Sequence, residues 1–271
     1  MTAIDTEQVL ELLREVAAGL CETFWTMEPE VEAERMTALF QRVDGAASAA
    51  IRQGLAALYP AIAWRDGELD QQFAADGRAW DAGEYWLCDA IDGAVQFVRT
   101  IPNWSMSLTL VREGVPVFNA VYDAVHDEMF HAVWRGGAFR NGVAMRVNAR
   151  ASHSQGIVAS SQPPLVARQP HAVAQAGQSL SAMLRDVLAV RNLGPTSLQL
   201  AYVACGRLDA FWEFGQDGYN CIGPSLLVQE AGGLVTQADG ARYTLASDSI
   251  AAAPPGAHAS MLRRLCDVTI A

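Results

Sequence analysis

Apolar positions at Val9, Leu10, Leu13, Val16, Ala17 and Leu20 recur with helical spacing and predict an amphipathic helix over 6–25, with Thr6 as its N-cap. A second helix is expected over 31–58, broken near Gly45 and ended by Leu58-Tyr59-Pro60. Residues 66–84 are polar and glycine-containing and read as a loop or hairpin. Strand-like runs follow at 85–88, 106–112, 115–122 and 128–134, the middle two joined through Arg112-Glu113-Gly114 as a hairpin. Gly136-Gly137 and Asn141-Gly142 punctuate the next stretch as tight turns. Past Arg150 the texture changes. Residues 151–180, rich in Ser, Pro, Gln and Ala, are expected to hold a strand at 156–160, a loop and a helix. A helix over 196–205, a strand over 207–214 and a helix over 218–231 come next. This order predicts two subdomains, an α+β unit over 1–150 and an α/β unit over 151–271, with the boundary near 148–156.

Composition narrows the function classes. The 271 residues are 51% hydrophobic with a mean hydropathy of +0.10, enough for a substantial core. The formal net charge is −11 and every one of the 19 basic residues is Arg, so nonspecific nucleic-acid or anionic-membrane binding is disfavoured and a divalent cation suits the field better. The five cysteines are scattered without CxxC spacing, which favours reduced thiols over disulfides or zinc. The acidic N-terminus lacks a signal-peptide pattern and no stretch is long enough to span a membrane, so a cytoplasmic protein is expected.

The chemistry concentrates in W-L-C-D-A-I-D-G-A-V-Q-F at 86–97. Asp89 and Asp92 with the Ile91 carbonyl offer hard oxygens of the kind Mg²⁺ prefers. Gly93 lets backbone amides approach an anion at a helix start. A cation site fused to an anion site suggests metal-assisted phosphate chemistry. D-x-x-D-G is also an ordinary Asp-rich turn. Further donors would have to come from other segments: Glu68 in the polar loop, then Glu213 and Asp217 where a strand feeds a helix, with Asn220 one helical step on. Asp217 has an alternative reading as the N-cap of the helix from 218.

Over about residues 55–240 the chain resembles the inositol monophosphatase family. Residues 86–97 look like the family's W-x-x-D-P-I-D-G-T-x-N-F, and Tyr219-Asn220-Cys221-Ile222-Gly223 leading to Glu230-Ala231-Gly232-Gly233 looks like its W-D-x-A-A-G and E-A-G-G. Gly136 to Gly142 resembles G-x-G-A-x-x-N-G, and Gly206 to Gly215 resembles G-x-x-D-A-x-x-E-x-G. The resemblance implies a layered α-β-α-β-α sandwich of the inositol monophosphatase and fructose-1,6-bisphosphatase type, usually a homodimer, acting on a small phosphorylated polyol or sugar. It implies Glu68, Asp89, Ile91, Asp92 and position 220 as Mg²⁺ ligands, and an acidic residue behind a third metal at Asp44. Gly93 and Ala94 would hold phosphate, and Glu213 with Gly194, Pro195 and Thr196 would line the polyol pocket.

Three departures touch the chemistry. The threonine that in the family positions and deprotonates water, together with the loop glutamate Glu68, is Ala94; the W-D aspartate is Asn220; and the G-E-E before the first motif is Gly67-Glu68-Leu69. Fewer bound ions and slow turnover are expected. Asp217 is the candidate substitute for the missing charge, and Ser105 or Thr100 for the missing hydroxyl if the fold returns them to the site. The leading expectation is an Mg²⁺-dependent phosphomonoesterase with impaired or altered activity. The alternatives are a silent member that binds a phosphorylated ligand or partner, and a phosphatase for another small ester such as a 3′-phosphoadenosine nucleotide or histidinol phosphate.

Overall fold

In the computed structural model, which describes residues 4–65, 82–164 and 166–269, the first helix, α1, spans Thr6–Thr26. Its N-cap is Asp5, not Thr6: the Asp5 carboxylate accepts from the Gln8 amide at 3.2 Å. The second helix, α2 (Ala33–Leu58), starts two residues later than expected and runs unbroken through Gly45, where open space surrounds the glycine and nothing forces a kink. Of the expected loop at 66–84, residues 66–81 lie outside the described residues.

Seven strands then pair in sequence order: β1 (Ala63–Trp64), β2 (Glu84–Asp92), β3 (Ser105–Arg112), β4 (Val115–Asp123), β5 (Glu128–Val133), β6 (Gly137–Arg140) and β7 (Val143–Ala144). Among the described pairings of this sheet only β1–β2 is parallel. A second sheet of five strands has the order β11-β12-β10-β8-β9, with β8 (Ile157–Ser160), β9 (Ala189–Arg191), β10 (Ala210–Phe214), β11 (Leu234–Thr236) and β12 (Ser249–Ala253). The strand expected at 207–214 starts late: 207–209 are not strand, because Asp209 is held there by Asn148, Arg150 and the Ile157 amide.

Side-chain alternation stacks these elements. One face of the first sheet (Trp86, Cys88, Met106, Leu108, Phe118, Ala120) packs on α1 and α2. The other face meets two helices, Thr196–Ala204 and Gly218–Glu230, which also cover Phe211, Ile250 and Ala252 of the second sheet. Ala210, Trp212 and Phe214 face outward onto the helices Pro170–Met183 and Pro255–Thr269. The result is an α-β-α-β-α sandwich. Where Gly218–Glu230 crosses the first sheet, Gly223 lies so close that a Cβ there would overlap Thr109 and Asn119. That close approach brings the start of this helix onto the end of β2.

Candidate metal and phosphate site

Strand periodicity alone would send Asp89 and Asp92, three residues apart, to opposite faces. A bulge reverses this. Asp89 pairs with Ser107 and Asp92 with Ser105, so three steps on β2 match two on β3, and both carboxylates face the middle helices. Trp86, Cys88 and Ala90 take the other face and anchor the strand in the core. Asp89 Oδ1 accepts from the Ile91 amide at 3.0 Å, the tight local bond that closes the bulge.

Asp92 is buried and accepts two bonds at Oδ2, from the Ser197 amide (2.8 Å) and the Ser197 hydroxyl (2.5 Å). Ser105 returns to the site through the same serine, its Oγ 3.1 Å from Ser197 Oγ. Burial holds the Asp92 carboxyl above its ordinary range, while the Ser197 hydroxyl and amide pull it back. Nothing in the sequence marked Ser197, a small polar residue in a helix that is otherwise nearly all buried.

Gly93 follows in the left-handed region at φ 99° and opens the short helix Ala94–Val98. Segment 193–196 lies directly over it: Pro195 Cγ would stand 3.0 Å from a Cβ on Gly93, and Gly194 packs on the Gln96 side chain. Buried Gln199 ties this segment down, accepting from the Leu193 amide at 3.0 Å and donating to Ser161 Oγ at 2.8 Å. Thr196 Oγ1 then sits 3.2 Å from Ser161 Oγ and 3.5 Å from Glu213 Oε2. Gly93, Gly194, Pro195, Thr196 and Glu213 therefore border one recess. A cavity of 620 Å³ opens beside Ser160 and Ser161, its far wall formed by Val173, Leu180 and Leu184.

Glu213 shares the strand face of Phe211 and so points inward between the sheets. Asp217 stands at the N-cap position of Gly218–Glu230 but makes no capping bond. It accepts instead from Asn220 Nδ2 at 3.0 Å, and ligand atoms of Glu213, Asp217 and Cys221 lie within 4.8 Å of one another. Burial first, then the Asp92 charge, raises Asp217 to about 7. Burial and the neighbouring Asp217 raise Glu213 well above its usual range. Asp217 thus keeps the N-cap position, while its carboxylate is shared between the first turn of its own helix and Glu213. Asp44, on α2, is half-buried with its Oδ1 making no hydrogen bond, and the Ile91 amide lies against its carboxylate. Glu68 lies outside the described residues.

These residues fit a hard divalent cation. Asp44 Oδ1, Glu213 Oε1 and Asn220 Oδ1 are buried oxygens without hydrogen-bond partners, and among the described residues no arginine forms an ion pair with Asp92, Glu213 or Asp217.

A sequence model of the inositol monophosphatase family matches residues 5–269, nearly the whole chain. The chain belongs to this family. Family members are phosphatases, phosphoric monoester hydrolases. The inositol-1-monophosphatase of Mesorhizobium japonicum is 34% identical over 188 residues, covering 68% of this chain and 67% of that one. The Nus factor SuhB of Pseudomonas aeruginosa is 33% identical over 212 residues, 78% of this chain and 76% of its own. The crystal structure of the extragenic suppressor protein SuhB from Bartonella henselae superposes with a TM-score of 0.80 at 24% identity, over 96% of this chain and 98% of that one. That last likeness speaks for the fold. Within the family framework, Ala94 is half-buried and brings only a methyl group to the helix start, and Asn220 brings a neutral amide.

At Gly93 backbone geometry leaves little choice of residue. Gly93→Ala should lower stability by about 1–3 kcal/mol, since alanine resists a positive φ and its Cβ would press on Pro195 and the Asn103 carbonyl at 3.3 Å. Urea denaturation with unchanged slope measures it; a loss under about 0.5 kcal/mol would contradict the left-handed turn.

Proposed function

We propose that this chain is an Mg²⁺-dependent phosphomonoesterase acting slowly on a small phosphorylated polyol or sugar. The observation that carries the reading is the bulge that turns Asp89 and Asp92 to one side, next to Gly93 and opposite Glu213. When bound, the ion supplies Lewis-acid polarisation of the phosphoryl oxygen and lowers the pKa of water. Asp89, Asp92 and the Ile91 carbonyl are its proposed ligands, with Glu68 completing the set, and Asn220 would ligate a further ion. The amides of Gly93 and Ala94 face the position of the phosphoryl oxygens. Glu213 accepts a hydrogen bond from a substrate hydroxyl, and Thr196, with Gly194 and Pro195 beside it, forms the facing wall. Glu68 is the proposed general base. Ala94 gives it no hydroxyl to share the water with, which accounts for slow turnover.

Ala94 also favours a second reading, a member that binds a phosphorylated ligand or a partner without turning it over. Relatives carry names of both kinds, an inositol-1-monophosphatase and a Nus factor, so membership does not choose between them. Phosphate release from inositol, glycerol, sugar and histidinol phosphates and a 3′-phosphoadenosine nucleotide, with Mg²⁺ and with EDTA, decides. Slow, Mg²⁺-dependent release from a polyol phosphate is expected. Binding of the same esters with no release over hours would establish the silent reading instead. The working assembly is a cytoplasmic homodimer, checked by light scattering of the purified chain. Among the described residues no helix is long and apolar enough to cross a membrane.

A further inference from the structure

We infer that the chain builds a second cation site from Asp217 and Glu213, assisted by the Asn220 side-chain oxygen, which replaces the charge lost at position 220. This rests on the reading of Asp89 and Asp92 as the first site. Three features of the structure support it. Asp217 occupies the N-cap position, where its buried carboxylate accepts from the Asn220 side chain and lies beside Glu213, an oxygen of each within 4.8 Å of the other. Glu213 is 1% exposed, its Oε1 has no hydrogen-bond donor, and its Oε2 meets Thr196 Oγ1 at 3.5 Å, with the Asp217 carboxyl beside it. Asn220 spends its amide nitrogen on Asp217, which leaves its buried Oδ1, likewise without a partner, for another positive group.

Buried carboxylates need a proton or a cationic partner, and once ionised above neutral pH only the cation remains. The chain has no lysine, and among the described residues no arginine pairs with Asp92, Asp217 or Glu213. A divalent ion is the partner that matches the charge and the space. The donors are oxygens, which select Mg²⁺ or Mn²⁺ over softer ions. Cys221, whose thiol donates to Asp217 Oδ2 at 3.9 Å, orients that carboxylate and is not itself counted as a ligand. Position 217 is three residues before 220, so its carboxylate lies on the same side of the helix start as the Asn220 side chain, to which it is bonded.

The test is Mn²⁺ binding to the full chain at pH 8, read by the electron paramagnetic resonance signal of free Mn²⁺, independently of turnover. Two ions per chain are expected for the wild type. Asp217→Asn should lose one of them or weaken it at least tenfold, and Glu213→Gln should weaken the same one. Asp89→Asn should remove the other. Asp217→Asn binding two ions with wild-type affinities would overturn the inference. So would a wild type with a single ion that Asp89→Asn abolishes and Asp217→Asn leaves intact, an outcome that keeps the reading of the first site. A wild type that binds none overturns both. Asp217→Asn is nearly isosteric; if circular dichroism shows it unfolded, Glu213→Gln with an unperturbed second ion overturns the inference in its place.

Discussion

Replacing Ala94 with Thr and Asn220 with Asp together should raise kcat on a polyol phosphate at saturating Mg²⁺ by about 10²–10⁴. The gain comes mainly from position 94. Ala94 is the first residue of the helix opened by Gly93, two residues after Asp92, and is half-buried and outside the buried core, so a threonine there should be accommodated. General-base assistance is worth that range when a water is properly held, and a methyl group contributes none of it. Asn220→Asp acts differently. It adds a charge where Asp92, Glu213 and Asp217 already repel one another, so alone it should lower the Mg²⁺ concentration for half-maximal activity more than it moves kcat. Initial rates across an Mg²⁺ series for both single variants and the double variant separate the two effects. If the double variant is no faster than wild type on any polyol phosphate, the assignment of these two positions is wrong.

The parts of this molecule that were legible from sequence are those where local chemistry and fold agree. The helical stripe of α1 and the hairpin through Glu113-Gly114 follow from periodicity and turn residues. Several motif residues turned out to be structural. Glu230 accepts from the Arg135 and Gly137 amides and closes the turn before β6, and Asn141 ties the Met129 amide (2.7 Å) to the Asp127 carbonyl. What period 2 could not show was the bulge that puts Asp89 and Asp92 on one side, because a bulge is specified by pairing with β3 and not by β2 alone. Asp217 sits where a cap is expected, but sequence could not show that Glu213 would come up beside its carboxylate. Ser197 and Gln199 carry no local signal; their roles arise when β2 and segment 193–196 are brought onto the same helix. Asp5 and Thr6 are both competent caps, and only the bond to Gln8 chooses.

In EDTA, the protein should lose stability as pH rises from about 4 toward 7, and Mg²⁺ should restore it. An ordinary aspartate titrates near 3.9 in the unfolded chain, whereas Asp217 is raised to about 7 by burial and by the Asp92 charge. Between those values the native state holds a proton that the unfolded chain has released, so stability falls with increasing pH across this window and levels off above it. Each unit is worth about 1.4 kcal/mol, so Asp217 alone sets a scale of a few kcal/mol, and Glu213, raised by the same burial, adds to it. The buried histidines His131, His153 and His258 are shifted down and act in the opposite sense, their stabilisation appearing as pH rises through about 6.5. The difference between wild type and Asp217→Asn cancels them. Melting temperatures from pH 5 to 9 in EDTA should therefore diverge, the variant gaining several degrees on wild type between about pH 5 and 8. Saturating Mg²⁺ should raise the wild type above pH 7 far more than the variant, because the ion takes the place of the proton among Asp92, Glu213 and Asp217. Parallel curves for the two proteins across this range, with and without Mg²⁺, would mean that Asp217 is ionised at neutral pH without needing either a proton or a cation, and the crowding of carboxylates on which the second site depends would be absent.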